Sequence, residues 1–447
     1  MRKINILDVL KKKKTNKEKS VDKMSAAVLE WTKLYENKEY AQGNTRSLNI
    51  AKAICSELAR LATIEFESEI CGSERAVYLN EQYQQILKKT RIFTEYACAK
   101  GGVVLKPFIN GKKIGVSVIQ ADGFVPTAFG PDAKMCGAIF YDKTERDGKY
   151  YTRLEEHLLK GNEYYITNTA YESKSADELG REVSLSVIDE WCELEKFCKI
   201  ENVSCPLFAY MKMPAANTID AKSPLGVSAF SGAVELIKDA YTQYTDLLWE
   251  FESGKRALFL DECAVRRDDD GNAQLPEKRL YRMLSTGDDT LFEDWSPEIR
   301  EQHIIAGLDR ILRSIEFNCG LAYGTISNPQ SVDKTAEEVR ASKQRSYATV
   351  CDIQNAIKRA LSELVEAMNI YCDIYSLAPQ GEYSISFDFD DSIVCDRTAE
   401  FDEKMALLDK NIIAPWEMRA WYFNEEEHVA KRMMGEIDEI HKRDGLA

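Results

Sequence analysis

The longest hydrophobic stripe in the chain follows a helical period and lies in its C-terminal third. Its members are Val339, Tyr347, Val350, Ile357, Leu361, Leu364, Met368 and Tyr371. This spacing predicts one long amphipathic helix that begins near Asp333 and ends near Tyr375. Thr335 and Glu338 fit a capping box, in which a hydroxyl and a carboxylate accept hydrogen bonds from free amides of the first turn.

A polar loop precedes this long helix. Gly324 and Pro329 interrupt regular structure within residues 324–331, and the loop carries no residue type typical of catalysis. A long helix that follows such a loop indicates a mechanical element rather than an active site.

Two further helical stripes bracket a short insertion. The first predicts a helix over residues 228–253, and the second predicts a helix over residues 297–318. Ser296 and Pro297 form an N-cap and first-turn pair at the start of the second helix. The intervening residues 255–296 contain a short strand and a charged turn. A helix hairpin with a small module at its tip is natural in a subunit that extends along an axis.

The N-terminal half changes its hydrophobic period at Gly101. Residues 24–100 show helical stripes, whereas the segments that follow alternate with a period of two and are separated by Asn-Gly and Asp-Gly turns. They predict an antiparallel meander. Residues 383–389 alternate in the same way, so they predict a strand whose partner lies far back in the sequence. The fold class is therefore α+β, and residues 1–222 are predicted to form its first domain.

Composition narrows the class of protein. The 447 residues are 44% hydrophobic and 30% charged, as in a globular protein of two to four domains. No apolar run is long enough to span a bilayer, and the first ten residues are too short and polar for a signal peptide. We therefore expect synthesis in a cytoplasm and no membrane contact. The twelve cysteines include no C-x-x-C pair, which favours free thiols over a zinc site.

The net charge of −15 argues against tight wrapping of nucleic acid, because phosphates are neutralised by Lys and Arg. It is compatible with loose passage of DNA, since an acidic wall repels phosphate. Residues 11–14 are the one run of lysines, and a solvated N-terminal tail is the interpretation that we favour over a DNA or membrane contact.

One cluster has the residue types of a catalytic metal site. Asp388, Asp390 and Asp391 lie at the end of the predicted strand, where carboxylates two apart share a face and could hold a divalent cation. The alternative is a strand with aromatic residues inward and aspartates outward, which we favour because no flanking His or Lys completes a site. The four histidines, His157 among them, lie in charged contexts that favour the surface. There is no P-loop.

Several segments together resemble the portal proteins of tailed bacteriophages that infect Gram-positive bacteria. The matching segments are residues 79–80, 96–107, 119–124, 223–227, 334–339 and 387–392. They stay in order over most of the chain, and this collinear set makes the resemblance specific.

The resemblance implies a phage portal fold with an α+β wing, long stem helices, a small α/β clip, a channel loop and a helical crown. By position, the parts correspond to residues 1–222 for the wing, with strand 383–391 returning to it, 223–254 and 297–320 for the stem, 255–296 for the clip, 321–333 for the tunnel loop, 334–382 for the long helix and 392–447 for the crown. The crown is helical from Thr398, with one helix at Pro415. Ala414 stands there where the family often has Ser, a better N-cap.

The resemblance also implies a homo-oligomeric ring, dodecameric in the phage particle, at one capsid vertex of the virion. Double-stranded DNA would pass along its channel in packaging and ejection. The residues expected in the DNA-channel loop are Thr325, Ile326, Ser327, Asn328, Gln330, Ser331, Val332 and Lys334. The carboxylates expected at the partner-binding clip are Asp268, Asp269, Asp270, Asp288 and Asp289.

Other partners implied by the resemblance are the terminase packaging ATPase, a head-completion or adaptor protein, and capsid and scaffold proteins. It implies no catalytic residue, cofactor or metal. Two hypotheses of other classes are a metal-dependent nuclease or nucleotidyltransferase that uses Asp388, Asp390 and Asp391, and a scaffold or adaptor without a channel. Metal-dependent cleavage of DNA separates the first from a portal, and ring formation separates the second.

Overall fold

The computed structural model confirms the predicted α+β class. It describes residues 18–37, 45–255, 257–260, 281–283, 292–295, 298–329, 336–389, 397–410, 412–423 and 427–443. The chain divides into two units, Met1–Phe389 and Asp390–Ala447. The helices of the first unit are α1 (Glu18–Glu36), α2 (Ile50–Ala62), α3 (Glu74–Leu87), α4 (Thr90–Lys100), α5 (Val234–Ser253), α6 (Glu301–Asn318) and α7 (Ala336–Ile374).

The described strands of the first unit form four antiparallel or mixed sheets. They are β1 (Glu67–Gly72), β2 (Gly102–Asn110), β3 (Lys113–Gln120), β4 (Phe124–Phe129), β5 (Met135–Arg146), β6 (Lys149–Lys160), β7 (Glu163–Ser173), β8 (Arg181–Val183), β9 (Phe197–Glu201), β10 (Ala209–Lys212), β11 (Ala257–Leu260), β12 (Tyr281–Met283), β13 (Phe292–Trp295) and β14 (Tyr383–Asp388). The largest sheet has the order β4-β5-β6-β7-β8 with β9 also on β7, and β10-β2-β3 forms a second sheet.

The predicted meander is confirmed as the hairpins β2–β3 and β5–β6, with β7 following. Asp147 and Gly148 in the β5–β6 turn have φ of 53° and 70°, values that an Asp-Gly pair tolerates better than most residues.

The predicted strand at residues 383–389 is β14, and its partner is β1. Residues 24–100 were expected to be helical throughout, so β1 corrects that prediction. The segment has a weak alternating signal because Ile70 is its one buried hydrophobic residue. Its other inward residue is Ser68, whose hydroxyl donates to the Ser386 carbonyl at 2.7 Å and also contacts the Tyr83 hydroxyl at 2.8 Å.

Helix α7 contributes one face to the main hydrophobic core over much of its length. Its predicted stripe is confirmed over the described side chains, since Val350, Ile357, Leu361, Leu364 and Met368 are fully buried. The core that surrounds them includes residues of α1 to α5 and of the β10-β2-β3 sheet. The predicted capping residue Thr335 lies outside the described residues.

The hairpin of α5 and α6 differs from the prediction at the start of each helix. Helix α5 begins at Val234 rather than near residue 228, after a 3-10 turn over Ser231–Ala233. Helix α6 begins at Glu301 rather than at Pro297, and residues 298–300 are not helical. A tertiary contact explains the later start. The Arg300 N–H donates to Glu250 Oε1 at 3.1 Å, and its guanidinium donates to both oxygens of the same carboxylate.

Two segments that carry the resemblance meet at a glycine contact. Gly101 ends α4 in the left-handed region with φ of 87°, and a Cβ there would lie 2.5 Å from the Gly226 carbonyl oxygen. A Cβ at Gly226 would in turn lie 2.1 Å from the Gly101 carbonyl oxygen. The Ser228 hydroxyl and the Ala229 N–H both donate to the Cys98 carbonyl. Glycine at both positions therefore permits the chain before α5 to pack against the end of α4.

A buried arginine joins α3 to the end of α7. Arg75 is 2% exposed, and each of its five N–H donors has an acceptor. Nε donates to the Pro379 carbonyl, Nη1 to the carbonyl and side-chain oxygens of Asn369, and Nη2 to the Ala378 carbonyl and Asp373 Oδ1, all at 2.8 to 3.2 Å. This guanidinium fixes the turn that leads from α7 into β14.

His157 was expected at the surface, and this prediction is wrong. It is 1% exposed, with Nδ1 2.9 Å from the Tyr164 hydroxyl and Nε2 2.7 Å from Glu155 Oε1. Burial lowers the pKa of His157. Burial alone would raise the pKa of Glu155, but the hydrogen bond from His157 and the charges of Lys106 and Arg153 outweigh it, so this pKa lies well below its usual range. Five polar side chains thus form one hydrogen-bonded and charged group across neighbouring strands.

The second unit contains α8 (Arg397–Asp409), α9 (Pro415–Phe423) and α10 (Glu427–Arg443). The predicted start of a helix at Pro415 is confirmed. Ala414 has no hydroxyl to cap this helix, but its own N–H donates to Glu417 Oε2 at 2.8 Å, which is the return half of a capping box. Lys431 of α10 lies 4.2 Å from the centre of the Trp416 ring of α9.

We predict that Arg75→Ala lowers the free energy of unfolding by about 2–4 kcal/mol, because several buried acceptors lose a charged donor together. Urea denaturation of the purified protein measures this. Arg60→Ala is the matched control, since Arg60 is 41% exposed and its guanidinium pairs with Glu57 of its own helix. We expect a loss under about 0.5 kcal/mol there. Equal losses in the two variants would contradict the proposed role of Arg75.

Candidate functional site

The predicted loop begins at a sharp helix end. Helix α6 terminates at Asn318, and Gly320 takes the left-handed conformation with φ of 70°. The Leu321 N–H then donates to the Glu316 carbonyl at 2.9 Å. A Cβ at Gly320 would lie 2.2 Å from Thr349 Oγ1 on α7, so the close approach of the two helices requires glycine here.

The Glu316 carboxylate accepts hydrogen bonds from the loop that follows α6. Glu316 is fully buried in the last turn of α6. Its Oε1 accepts from the N–H groups of Ile326 at 2.7 Å and Ser327 at 2.9 Å. Its Oε2 accepts from the Ser327 hydroxyl at 2.8 Å and from the Gly324 N–H at 3.2 Å. A buried carboxylate is costly unless donors surround it, and here the loop supplies four of them.

Two further contacts hold the same loop. The Asn328 N–H donates to Asp309 Oδ1 at 2.7 Å, and Asp309 lies about two turns before Glu316 on α6. From the other side, the guanidinium carbon of Arg345 on α7 lies 4.5 Å from the centre of the Phe317 ring and 5.4 Å from that of Tyr323. Residues 321–328 are therefore fixed to both helices that they connect.

The predicted loop residues fall into three groups. Thr325 and Asn328 are exposed. Ile326 is partly buried against the main core, and Ser327 is 6% exposed with its hydroxyl donated to Glu316. The remaining predicted loop residues, Gln330, Ser331, Val332 and Lys334, lie outside the described part of the chain.

Sequence reasoning missed Glu316, although a signal for it exists. The apolar stripe of α6 runs through Leu312 and Ile315, and Glu316 follows Leu312 by four residues on the same face. A carboxylate in an apolar stripe requires a buried partner. The sequence does not reveal which residues serve as that partner, because they are mainly backbone amides.

The structure describes only one of the three residues of the predicted carboxylate cluster, Asp388. Asp388 is exposed at the end of β14 and pairs in register with Glu67 of β1. The residues that alternate with it, Ile385 and Phe387, pack against the core. Asp390 and Asp391 lie outside the described residues. Within the described ranges, no group of three or more His, Cys, Asp or Glu side chains is arranged to hold a metal ion.

The predicted partner-binding carboxylates, Asp268, Asp269, Asp270, Asp288 and Asp289, also lie outside the described residues. The described strands of that region form a small mixed sheet of order β12-β11-β13. β11 is parallel to β12 and antiparallel to β13.

The described residues also enclose a small cavity beside Lys100, Phe124 and Tyr210. Its volume of about 30 Å³ leaves room for little more than water. Among the described helices, none combines the length and the apolar character needed to cross a bilayer.

A match to a family model shows which protein family the chain belongs to. The family model described as "Phage portal protein, SPP1 Gp6-like" matches residues 8–443. The chain belongs to this family. Its members are structural proteins of the phage virion, so the predicted portal fold and function are confirmed at the level of the family.

A remote structural likeness accompanies the match to the portal family. A chain of the solved structure "Neck of native GTA particle computed with C12 symmetry" superposes with a TM-score of 0.43 and 10% sequence identity, over 88% of this chain and 92% of that one. Among curated proteins, none matches the chain significantly.

We predict that Gly320→Ala destabilises this portal subunit by about 2–4 kcal/mol, from left-handed strain and overpacking against Thr349. Thermal or urea unfolding measures the loss. Gly111→Ala is the control, because Gly111 has a similar φ of 63° with nothing within 4 Å of its added Cβ, and we expect about 1 kcal/mol there. Adding Thr349→Ala to Gly320→Ala should reduce the loss toward that of the control. An unchanged loss in the double variant would rule out the collision.

Proposed function

We propose that twelve copies of this chain form a closed ring at one capsid vertex, and that double-stranded DNA passes through its central channel during packaging and ejection. Membership of the portal family supports a ring-forming subunit of the phage neck. The number of subunits and the DNA follow from the resemblance of the sequence to portal proteins, and they are tested below.

The surface of the α5–α6 hairpin is the observation that carries the proposal. In the isolated chain Trp249 is 64% exposed, and Ile305 is 48% exposed. Leu308, Ile311 and Leu312 of the apolar stripe of α6 pack against the main core, so the exposed apolar surface is formed by side chains off that contact, such as Trp249 and Ile305. Exposed apolar surface can mark an interaction site in soluble proteins. A neighbouring copy of the same hairpin would cover it in a ring.

The parts of the chain have proposed roles along the ring axis. We assign residues 1–222 and strand 383–391 to the outer wing, and the α5–α6 hairpin to the stem. The salt bridge of Glu250 with Arg300 ties the two stem helices together where the tip module begins. We assign residues 255–296 to the clip, and residues 392–447 to the crown.

The loop between α6 and α7 has the proposed role of facing DNA. Its exposed described residues, Thr325 and Asn328, are uncharged, so they would contact a duplex without gripping its phosphates. The hydrogen bonds to Glu316 and Asp309 would hold the first half of the loop in one conformation beside the passing duplex.

The acidic clip would bind proteins rather than DNA, because its carboxylates repel phosphate. The proposed partners at that end are the terminase packaging ATPase and, after packaging, a head-completion or adaptor protein. Capsid and scaffold proteins would surround the wing.

We predict that Trp249→Glu prevents ring assembly, because a carboxylate would be buried between neighbouring stems without a partner. Mass photometry of the purified protein should show a discrete large assembly for the natural sequence and mainly monomers for the variant. Ile305→Glu should act in the same direction.

Val77→Glu is the matched control for this experiment. Val77 is 60% exposed, close to Trp249, but it lies on α3 outside the hairpin. Assembly of this control with loss of assembly for Trp249→Glu supports the stem interface. Rings that form equally well in all three variants would refute it.

We predict that Asn328→Arg permits ring assembly and reduces packaged DNA. The added guanidinium would be repeated around the channel and would hold phosphates electrostatically. Packaged DNA per particle is the measurement, with ring assembly checked in parallel. Asn328→Gln is the control, since it lengthens the side chain without adding charge. Full packaging by the Arg variant would contradict the assignment of this loop to the channel.

A further inference from the structure

The groups around Glu316 have the arrangement of an anion-binding site. The N–H groups of Gly324, Ile326 and Ser327 and the Ser327 hydroxyl point at the two oxygens of one carboxylate at 2.7 to 3.2 Å. Successive backbone N–H groups that point into a turn form a concave nest that binds phosphate or carboxylate in many proteins. In this chain the anion in the nest is a side chain of the preceding helix.

The conformation of the nest does not depend on the sequence of residues 324–327 alone. Gly324 has φ of 87°, and the other contacts within the turn are few: the Gly324 N–H also reaches Ser327 Oγ at 3.2 Å, and the Thr325 hydroxyl and N–H donate to the Ala322 carbonyl. Within the described part of the chain, the Glu316 carboxylate is the group that joins Gly324, Ile326 and Ser327. Without it, three backbone donors would lose an acceptor in a partly buried place, and the turn would open to find water.

We propose that Glu316 acts as an internal anion with two effects. Its carboxylate sets the conformation of residues 324–327, and it occupies donors that would otherwise bind an external anion of phosphate or carboxylate type. If the loop faces DNA, as the proposed function states, Glu316 also withholds these donors from the DNA phosphates. It is a positioning residue, since it acts through the loop rather than by touching DNA.

The test uses the purified full-length protein and two variants. Glu316→Ala empties the nest, and Glu316→Gln fills it with a neutral group of the same shape. Glu301→Ala is the control, because Glu301 lies in the first turn of the same helix and is not buried. Hydrogen exchange of the amides of residues 324–327 is measured for each protein, alone and with added sodium formate or inorganic phosphate at constant ionic strength.

We expect exchange of these amides in Glu316→Ala to rise at least about tenfold, since more than one charge-assisted hydrogen bond is lost. Formate or phosphate should restore protection along a saturable curve. Glu316→Gln should fall between the natural protein and the Ala variant. The natural protein and Glu301→Ala should not respond to either anion.

Two results would overturn the proposal. The first is exchange in Glu316→Ala that is no faster than in the control. The second is faster exchange that neither anion reverses, because the nest would then not bind an external anion. If Glu316→Ala does not fold, Glu316→Gln decides the matter through the same exchange measurement. None of these measurements uses DNA. Their outcome is therefore independent of the packaging result for Asn328→Arg, which tests the proposed function.

Discussion

Burial of one face of α7 is the constraint on which the rest of the first unit depends. Side chains from Val350 to Met368 contact helices from the N-terminal half and the sheet that follows them. Several elements therefore pack against this one helix. The two ends of α7 then determine what lies near them. At one end Arg75 holds the turn into β14, and at the other Arg345 and Thr349 contact the loop from α6. The burial of the middle of α7 therefore positions both of its ends relative to the core.

Three charged groups among the described residues of this unit lie where elements meet, and each is surrounded by opposite or complementary groups. Arg75 has five acceptors, Glu316 has four donors, and Glu155 lies between Lys106 and His157. An isolated buried charge would destabilise the fold, whereas a fully hydrogen-bonded one specifies a single arrangement of the parts it joins. The apolar core provides most of the stabilisation, and these groups select the geometry of its junctions.

The sequence predicted long periodic elements well, because a stripe repeated over many residues outweighs any local exception. The stripe of α7 and the hairpins after Gly101 are examples. The prediction from the sequence was wrong where a tertiary contact, rather than a local pattern, determines the structure. Ser68 is inward on β1 because Ser386 and Tyr83 satisfy it, and Arg300 delays the start of α6 because Glu250 binds it. The candidate loop was located from its glycine and proline, but Glu316 was not, since its partners are backbone amides with no signature of their own.

The pairing of β1 with β14 has a consequence for the time course of synthesis. Ser68 and Ser386 are 318 residues apart, yet a hydrogen bond joins them. A ribosome that adds about 5–20 residues per second needs on the order of 15–60 seconds between the two strands. Until then β1 lacks its partner and the turn beyond α7 lacks its contact with Arg75. The nascent chain therefore completes this unit only after residues 383–388 have been made, so a product truncated before them presents an incomplete surface and is a poor building block for any assembly of intact chains.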